Sequence, residues 1–299
     1  MKTQTTNIKS EIADYSFAGD IMQLVKIRLT SMVVFSSVAS FLIASSFSVS
    51  WEYVILLAFG GFFVAGASNA LNEVLEKDYD ILMARTQNRP IAAGRMSMST
   101  GVLIAGLMSL VGISLLSLFN PLTGFLGMLS LILYAFVYTP MKRQSSVAVL
   151  LGAIPGAMPM LIGCVAYQGY ISTLGLTLFG FLFFWQIPHF WAIGFLGFED
   201  YNKAGYKFIP QQNGAIADRV KLQSLAITMF MTIASVIFLY LNEFSIVAVS
   251  LMILCGAAFS YTAFKFFKQT DRSSALQLMF GSIIYLPLVL IIMMIDKIF

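Results

Sequence analysis

The stretch that decides the fold is residues 53–80, YVILLAFGGFFVAGASNALNEVLEKDYD, in which an apolar run passes directly into acidic and amide side chains. The run over residues 53–71 is long enough to cross a bilayer as a helix, which takes about 20 apolar residues. The residues that follow are too polar for the hydrocarbon layer, so they mark a membrane surface. This stretch therefore predicts a membrane-spanning helix with polar chemistry at one end.

The remainder of the chain has the same apolar character. Of its 299 residues, 59% are hydrophobic and only 11% are charged, whereas an average soluble domain is about 25% charged. This composition excludes an ordinary soluble domain, and it excludes a disordered chain, which needs low hydrophobicity. We predict an all-α polytopic membrane bundle of nine transmembrane helices, over residues 29–49, 53–71, 100–118, 122–140, 146–167, 173–196, 222–241, 244–267 and 274–295.

The basic residues indicate how these spans are oriented. All but one of the 18 Lys and Arg residues fall in alternate segments between the spans, beginning with the N-terminal segment, and the exception is Lys297. Cytoplasmic segments carry such an excess of Lys and Arg. We therefore predict a multi-pass protein of the cell membrane, with its N-terminus in the cytoplasm and its C-terminus outside. Residues 1–28 are expected to form a cytoplasmic segment with an interfacial helix, and residues 29–299 a single transmembrane domain.

Asn72, Glu76 and Asp80 follow the second span at intervals of four residues. On a helix this spacing places three oxygen-bearing side chains along one face, one turn apart. Clustered carboxylates repel each other, and a hard cation such as Mg²⁺ takes oxygen ligands and commonly bridges to phosphates. The pattern favours a Mg²⁺ site with these three residues as ligands; the alternative is a solvated helix end.

Basic residues suited to phosphate lie close to this acidic series. Arg85 and Arg89 come directly after it, and Lys142 and Arg143 follow the fourth span on the same side of the membrane. Arginine binds phosphate oxygens in a bidentate manner. Acidic residues, a metal and arginines together predict a diphosphate site, in which positive charge stabilises the departing group.

A second polar cluster follows the sixth span and contains Glu199, Asp200, Tyr201 and Lys203. Because this span ends on the same membrane face as the first cluster, we expect the two clusters to face each other across a cavity that holds a metal diphosphate.

His189 is the only histidine and lies within the sixth span, between Trp185 and Trp191. A single histidine cannot form a multi-ligand metal site, but it can act as an axial ligand of haem iron or as an acid or base. The alternative is a core histidine that is hydrogen-bonded to a neighbouring helix.

At these residues the sequence resembles the UbiA superfamily of intramembrane prenyltransferases, and within it the branch that modifies haem. Glu76 stands where the first motif of the superfamily commonly has Asp, which keeps the ligand chemistry. Relatives that act on quinone precursors carry Asp-x-x-x-Asp in the second motif, where this chain has Gly197 and Tyr201. The matching residues are Lys26 and Arg28, which flank Ile27 where the family has Lys-Pro-Arg; Asn72, Glu76 and Asp80; Met83, Arg85, Thr86, Arg89 and Pro90; Tyr138, Thr139, Lys142 and Arg143; Pro188, His189 and Phe190; and Glu199, Asp200, Tyr201, Ala204 and Gly205.

This resemblance implies the transfer of a farnesyl group from farnesyl diphosphate to the vinyl group of haem B, with addition of water, to give the haem O used in haem-copper oxidases. It implies Mg²⁺ as the cofactor, held by Asn72, Glu76 and Asp80, and catalytic roles for these residues and His189. Arg85, Arg89, Lys142 and Arg143 are expected to bind the diphosphate. The expected partners are farnesyl diphosphate, haem B and membrane lipid, with a haem A synthase as a candidate recipient of the product and no nucleic acid.

Two other functions stay open from the sequence. A related prenyltransferase acting on a quinone precursor or aromatic acid would share the fold, the metal and the diphosphate chemistry. A membrane transporter or assembly factor belongs to a different class. The absence of acidic residues, Lys and Arg from the middle of the spans is evidence against transport, because transporters keep ionisable groups near the bilayer centre.

Overall fold

The computed structural model describes residues 16–213 and 215–299, which form helices and one two-stranded hairpin. The hairpin pairs Gln211 with Ile216 in antiparallel register. In chain order the elements are α1 (Phe17–Leu24), α2 (Ile27–Ser45), α3 (Trp51–Asp80), α4 (Met98–Ser117), α5 (Pro121–Ile132), a π-helical segment (Leu133–Tyr138), α6 (Thr139–Met141), α7 (Ala148–Gln168), α8 (Thr173–Leu196), α9 (Phe198–Lys203), β1 (Gln211–Gln212), β2 (Ala215–Ile216), α10 (Asp218–Ala234), α11 (Ile237–Tyr240), α12 (Ile246–Gln269) and α13 (Arg272–Ile298).

The predicted all-α architecture with nine spans is confirmed. Within the described residues nine helical stretches are long and apolar enough to cross a membrane. The largest difference concerns the second span, predicted to end at residue 71, whereas α3 continues to Asp80. Apolar patterning locates only the part of a helix that lies in lipid, whereas hydrogen bonds and ion pairs sustain the polar extension.

Most spans begin at residues that satisfy free backbone N–H groups. Asn120 accepts from the N–H of Thr123 ahead of Pro121, which has no N–H to satisfy. Asp271 and Ser274 form a reciprocal capping box at the start of α13. These caps make short connections possible, and short connections keep consecutive helices adjacent in the bundle.

Helix α7 lies at the centre of the bundle and packs against α2, α5 and α8. Its Gly163 faces α2 so closely that a Cβ there would lie 2.1 Å from the carbonyl oxygen of Ser37. Small residues allow such approach between membrane helices, whose association depends on close packing. A larger residue at 163 would force α2 and α7 apart.

Candidate active site

A cavity of about 180 Å³, here called the polar cavity, opens at the end of the bundle where α3 and α8 terminate. Acidic, basic and aromatic side chains from distant parts of the chain meet in it. Its lining residues are Lys26, Leu29, Asn72, Glu76, Asp80, Met83, Arg85, Arg89, Tyr134, Tyr138, Lys142, Phe190, Ile193, Tyr201, Tyr206 and Phe208.

The predicted acidic face is present on one helix. Because α3 runs unbroken to Asp80, the side chains of Asn72, Glu76 and Asp80 lie one turn apart and all line the polar cavity. Their exposed fractions are 2%, 3% and 0%. A solvated helix end would leave such groups exposed, so that alternative does not describe this face.

Two predicted phosphate-binding residues pair with these carboxylates. Arg89 Nη1 lies 2.7 Å from Asp80 Oδ2 and 3.9 Å from Glu76 Oε2. Lys142 Nζ forms an ion pair with Glu76 Oε1. Burial opposes the charge on Arg89, but the attraction of Asp80, Glu76 and Glu73 outweighs it and raises the pKa of Arg89. Charges buried to this degree are retained only where they are paired.

The segment between α3 and α4 is fixed so that Arg89 reaches the acids. Thr86 Oγ1 donates to the carbonyl oxygen of Asp80 at 2.9 Å, which ties the segment to the end of α3. The N–H of Ile91 donates to the buried carboxylate of Glu73 at 3.1 Å. Arg89 lies between these two anchors and is therefore held in place by contacts on both sides.

Lys26 belongs to this cluster although its role was not predicted from the sequence. Its Nζ donates to Asn72 Oδ1 at 2.9 Å, and Asn72 Nδ2 donates to Thr139 Oγ1 at 3.1 Å. Burial, with the positive charge of Arg89, lowers the pKa of Lys26 to about 7. The resemblance matched Lys26 to the family's Lys-Pro-Arg before the first span without giving it a role, and a lysine at this position also fits a charge at the membrane surface.

The donor set at the acidic face suits Mg²⁺. Asp80 Oδ1 is buried and has no hydrogen-bond partner among the described residues, which leaves it available as a ligand. Mg²⁺ typically takes one or two protein carboxylates together with waters and substrate phosphates. Asp80 and Glu76 could supply these carboxylates, and a metal at Asn72 would replace the Lys26 contact. In the described part of the chain no three His, Cys, Asp or Glu side chains form a metal cluster. Water and substrate phosphate are the usual further ligands of Mg²⁺ in such sites.

A π-helical segment forms the aromatic side of the polar cavity. Residues 133–138 have π-helical hydrogen bonding, and Tyr134 and Tyr138 both point into the cavity with ring centroids 5.4 Å apart. Such segments occur frequently at functional sites. Tyr138 also stacks on Phe190 of α8 at 6.4 Å, so the aromatic side is continuous between the two helices.

The second acidic cluster does not face the first one as expected. Tyr201 lines the polar cavity, whereas Glu199, Asp200 and Lys203 do not, and Glu199 and Lys203 are exposed. Tyr206 and Phe208 lie beside Tyr201 instead of the acids. A six-residue helix, α9, followed by an irregular turn determines which side chains point inward, and a linear pattern of acids could not show this.

The four residues predicted to bind the diphosphate do not all line the polar cavity. Arg85 lines the polar cavity and donates to the Tyr201 hydroxyl at 3.2 Å. Arg143 does not line it; it donates to the carbonyl oxygen of Leu75 at 2.6 Å and lies 3.8 Å from the Tyr79 ring centroid. Since Lys142 and Arg143 are consecutive, their side chains diverge, and Arg143 supports the end of α3 rather than the cavity.

His189 points away from the polar cavity, toward α13. Its Nδ1 lies 2.7 Å from Ser282 Oγ, and its ring stacks on Trp185 with centroids 4.9 Å apart. The Ser282 hydroxyl donates to the carbonyl oxygen of Met279 at 2.6 Å, so its oxygen accepts from His189. This assignment puts the proton on Nδ1 and leaves a lone pair on Nε2.

A second cavity, here called the apolar cavity, adjoins the polar one. It has a volume of about 90 Å³ and shares Leu29 and Tyr134 with the polar cavity. From there it extends between α2, α3 and α7 into the membrane part of the bundle. Its lining residues are Leu29, Val33, Val34, Ser37, Gly61, Val64, Ala65, Ser68, Asn69, Leu116, Ser130, Tyr134, Pro155, Gly156, Pro159 and Ile162.

The nine-span bundle has a buried acid–base cluster beside an apolar cavity, which are the two parts that an intramembrane prenyltransferase needs for a diphosphate and an isoprenoid chain. Residues 33–284 match the model of the UbiA prenyltransferase family, and the chain belongs to this family. The predicted resemblance and the multi-pass membrane location are thereby confirmed.

Among named relatives the chain is similar to protoheme IX farnesyltransferases. It is 40% identical to that of Flavobacterium psychrophilum, covering 94% of this chain and 95% of the relative. It is 38% identical to that of Christiangramia forsetii, covering 94% of each. It is also 34% identical to the mitochondrial protoheme IX farnesyltransferase of Homo sapiens, covering 95% of this chain and 63% of that protein.

Solved structures show the same fold at low sequence identity. A digeranylgeranylglyceryl phosphate synthase superposes with a TM-score of 0.78 at 17% identity, covering 94% of this chain and 98% of that one. A UbiA homolog from Archaeoglobus fulgidus, bound to GPP and Mg²⁺, superposes with a TM-score of 0.64 at 13% identity, covering 92% and 99%.

Proposed function

We propose that this protein transfers the farnesyl group of farnesyl diphosphate to a vinyl group of haem B, giving haem O. The observation that carries the proposal is the buried cluster of carboxylates, arginine and lysines at the junction of a polar and an apolar cavity. The polar cavity suits a diphosphate, and the apolar cavity suits an isoprenoid chain. Relatives at 34–40% identity that bear the name protoheme IX farnesyltransferase support farnesyl as the donor group and haem as the acceptor.

At the diphosphate end, Arg85, Arg89 and Lys142 would bind phosphate oxygens. Asn72, Glu76 and Asp80 would hold Mg²⁺, the ion bound together with GPP in the A. fulgidus homolog. When bound, the metal would supply Lewis-acid stabilisation of the charge that develops on the leaving diphosphate. As substrate and metal enter, Arg89 and Lys142 can exchange their carboxylate partners for phosphate, which keeps every charge in the buried site paired.

Departure of diphosphate leaves an allylic cation, and the aromatic side of the polar cavity can protect it. Tyr134, Tyr138 and Phe190 present rings whose negatively charged faces attract a cation. Their bulk also excludes water, which would otherwise capture the cation before the vinyl group attacks. Capture of the resulting porphyrin-side cation by water would give the hydroxyl group of haem O and release a proton.

We further propose that His189 orients haem through its iron. Trp185 packs on one face of the imidazole, and Ser282 fixes the tautomer in which Nε2 is the free ligand atom. A hydrogen bond at the other ring nitrogen is the usual way in which proteins orient a metal-binding histidine. Phe190, the next residue on α8, lines the polar cavity, so His189 lies beside that cavity although its own ring contacts Ser282.

Replacing His189 by Ala is expected to weaken haem B binding at least tenfold and to shift the Soret maximum of the bound haem. Ser282→Ala should cause a smaller change in the same direction, because the imidazole loses its orienting partner. The measurement is spectroscopic titration of haem B into purified protein. Ser250→Ala is the matched control, since Ser250 is exposed on α12 and bonds only to its own helix. If the haem spectra of His189→Ala and Ser282→Ala are both the same as that of the unaltered protein, His189 is not part of the haem site.

For the location, we propose the cell membrane with the polar cavity at its cytoplasmic face. The support is the concentration of Lys and Arg at that end of the spans, together with the positive-inside rule. Farnesyl diphosphate, a charged water-soluble molecule with an apolar tail, would then enter from the cytoplasm.

The acceptor is tested by competition between acceptor classes. Purified protein in lipid vesicles is given farnesyl diphosphate, Mg²⁺ and equal amounts of haem B and 4-hydroxybenzoate, and products are separated by chromatography. We expect the farnesyl group on haem alone. A farnesylated aromatic acid without a haem product would assign the protein to the other acceptor class and reduce His189 to a packing residue.

A further inference from the structure

The apolar cavity follows a single face of α3. Gly61, Ala65, Ser68 and Asn69 all line it, at the spacing of one helical stripe. With a rise of about 1.5 Å per residue, the distance along the axis from Asn69 to Gly61 is about 12 Å. Asn69 lies one turn from Asn72 of the polar cavity, so Gly61 marks the end farthest from the diphosphate site.

Leu116 of α4 forms a fixed wall at this far end. It is only 1% exposed and lines the apolar cavity. Its side chain fits between two glycines, because a Cβ at Gly60 would lie 2.9 Å from Leu116 Cδ2 and a Cβ at Gly127 would lie 2.6 Å from Leu116 Cδ1. The side chain of Leu116 is therefore confined by α3 on one side and by α5 on the other, and it cannot move aside for a longer ligand.

Close packing requires a glycine at position 60 but not at the neighbouring position 61. A Cβ at Gly61 would meet only Val34 Cγ2, at 3.8 Å, which is an ordinary contact. Glycine inside a helix costs about 1 kcal/mol relative to alanine, and neither backbone conformation nor tight packing requires it at 61. What the missing side chain provides is free volume in the cavity.

We propose that Gly61 and Leu116 determine the length of the isoprenoid chain that the enzyme accepts. Gly61 leaves room for the third isoprene unit, and Leu116 blocks a fourth. This inference rests on the proposed function, because it takes the apolar cavity as the binding site of the prenyl tail. It concerns donor length only and is independent of how haem is bound.

The test compares geranyl, farnesyl and geranylgeranyl diphosphate as donors to haem B. Gly61→Leu should lower kcat/KM for farnesyl relative to geranyl diphosphate at least tenfold, because its side chain occupies the far end of the cavity. Gly61→Ala should give a shift of the same sign and smaller size. Gly106→Leu is the matched control, because Gly106 is exposed on α4 with no atom within 4 Å of an added Cβ. It should leave the ratio unchanged.

Leu116→Ala provides the reciprocal test, since it opens the end that Gly61→Leu closes. We expect its kcat/KM for geranylgeranyl diphosphate to rise at least tenfold relative to farnesyl diphosphate, with Leu116→Val showing an intermediate ratio. Equal losses with all three donors, or unchanged ratios in the Gly61 variants, would overturn the assignment. If the unaltered protein transfers none of the three chains to haem B, the proposed function itself fails, so the two failures are distinguishable.

Discussion

Farnesyl transfer by the Asp80→Asn variant is expected to fall about 10³-fold or more in kcat, while the protein still inserts into the membrane. Asp80 is fully buried, its Oδ1 has no partner among the described residues, and its Oδ2 pairs with Arg89 at 2.7 Å. The neutral amide keeps the shape but removes the charge that would bind Mg²⁺ and orient Arg89. Loss of one preorganised electrostatic contact at a reacting centre costs about 10²–10³-fold, and here two functions are lost together.

Asp78→Asn is the matched control for this variant. Asp78 lies on the same helical turn but is exposed and does not line the polar cavity. Removing one partner of a buried ion pair can destabilise a protein by about 3–5 kcal/mol, so activity should be normalised to the folded fraction measured by size-exclusion chromatography. Turnover of Asp80→Asn close to that of Asp78→Asn would exclude Asp80 as a metal ligand.

Arg89→Ala is expected to raise the apparent KM for farnesyl diphosphate about 10²-fold, with a further loss in kcat. Arg89 is the basic residue that contacts both carboxylates, at 2.7 and 3.9 Å, and its segment is anchored by Thr86 and by Glu73. A residue held in this way is preorganised for the phosphate, and guanidinium binds phosphate in a bidentate geometry that lysine lacks. Arg89→Lys should therefore recover only part of the activity.

The measurement is initial-rate kinetics with farnesyl diphosphate varied at saturating haem B. Arg219→Ala serves as the control, because Arg219 is an exposed cation on α10 that lies outside both cavities. Kinetic constants of Arg89→Ala equal to those of the control would show that Arg89 only neutralises the carboxylates and does not bind substrate.

The helices and the acidic face could be predicted from the sequence, because both depend on the spacing of residues that are close together in the chain. An apolar run of sufficient length forms a span wherever it occurs, and three residues at intervals of four lie on one face wherever the helix continues. Asn72, Glu76 and Asp80 were therefore predicted correctly as one stripe of α3, and the structure shows that this stripe is buried. The length of α3 was underestimated more than that of any other span, since its last turns are held by contacts with other segments.

Contacts between distant segments could not be predicted in the same way. Lys142 and Arg143 are adjacent in sequence, yet one pairs with Glu76 and the other supports the backbone at Leu75. The direction of His189 depends on Ser282, which lies 93 residues later in the chain. The acids of the second cluster are turned away by an irregular segment, which brings Tyr201 into the cavity instead. In each case the path of the backbone decides which side chains meet, and the spacing of residues in the sequence does not reveal that path.

The proposed function is tested most directly by the mass of the product formed in membranes from a host that lacks the activity. Membranes containing the protein receive haem B, farnesyl diphosphate and Mg²⁺, and a parallel sample receives EDTA in excess. We expect a haem whose mass has increased by one farnesyl group and one hydroxyl group, and no such product with EDTA. A haem product that forms equally with EDTA would contradict the metal assignment of Asn72, Glu76 and Asp80, and unchanged haem B in both samples would contradict the proposed function.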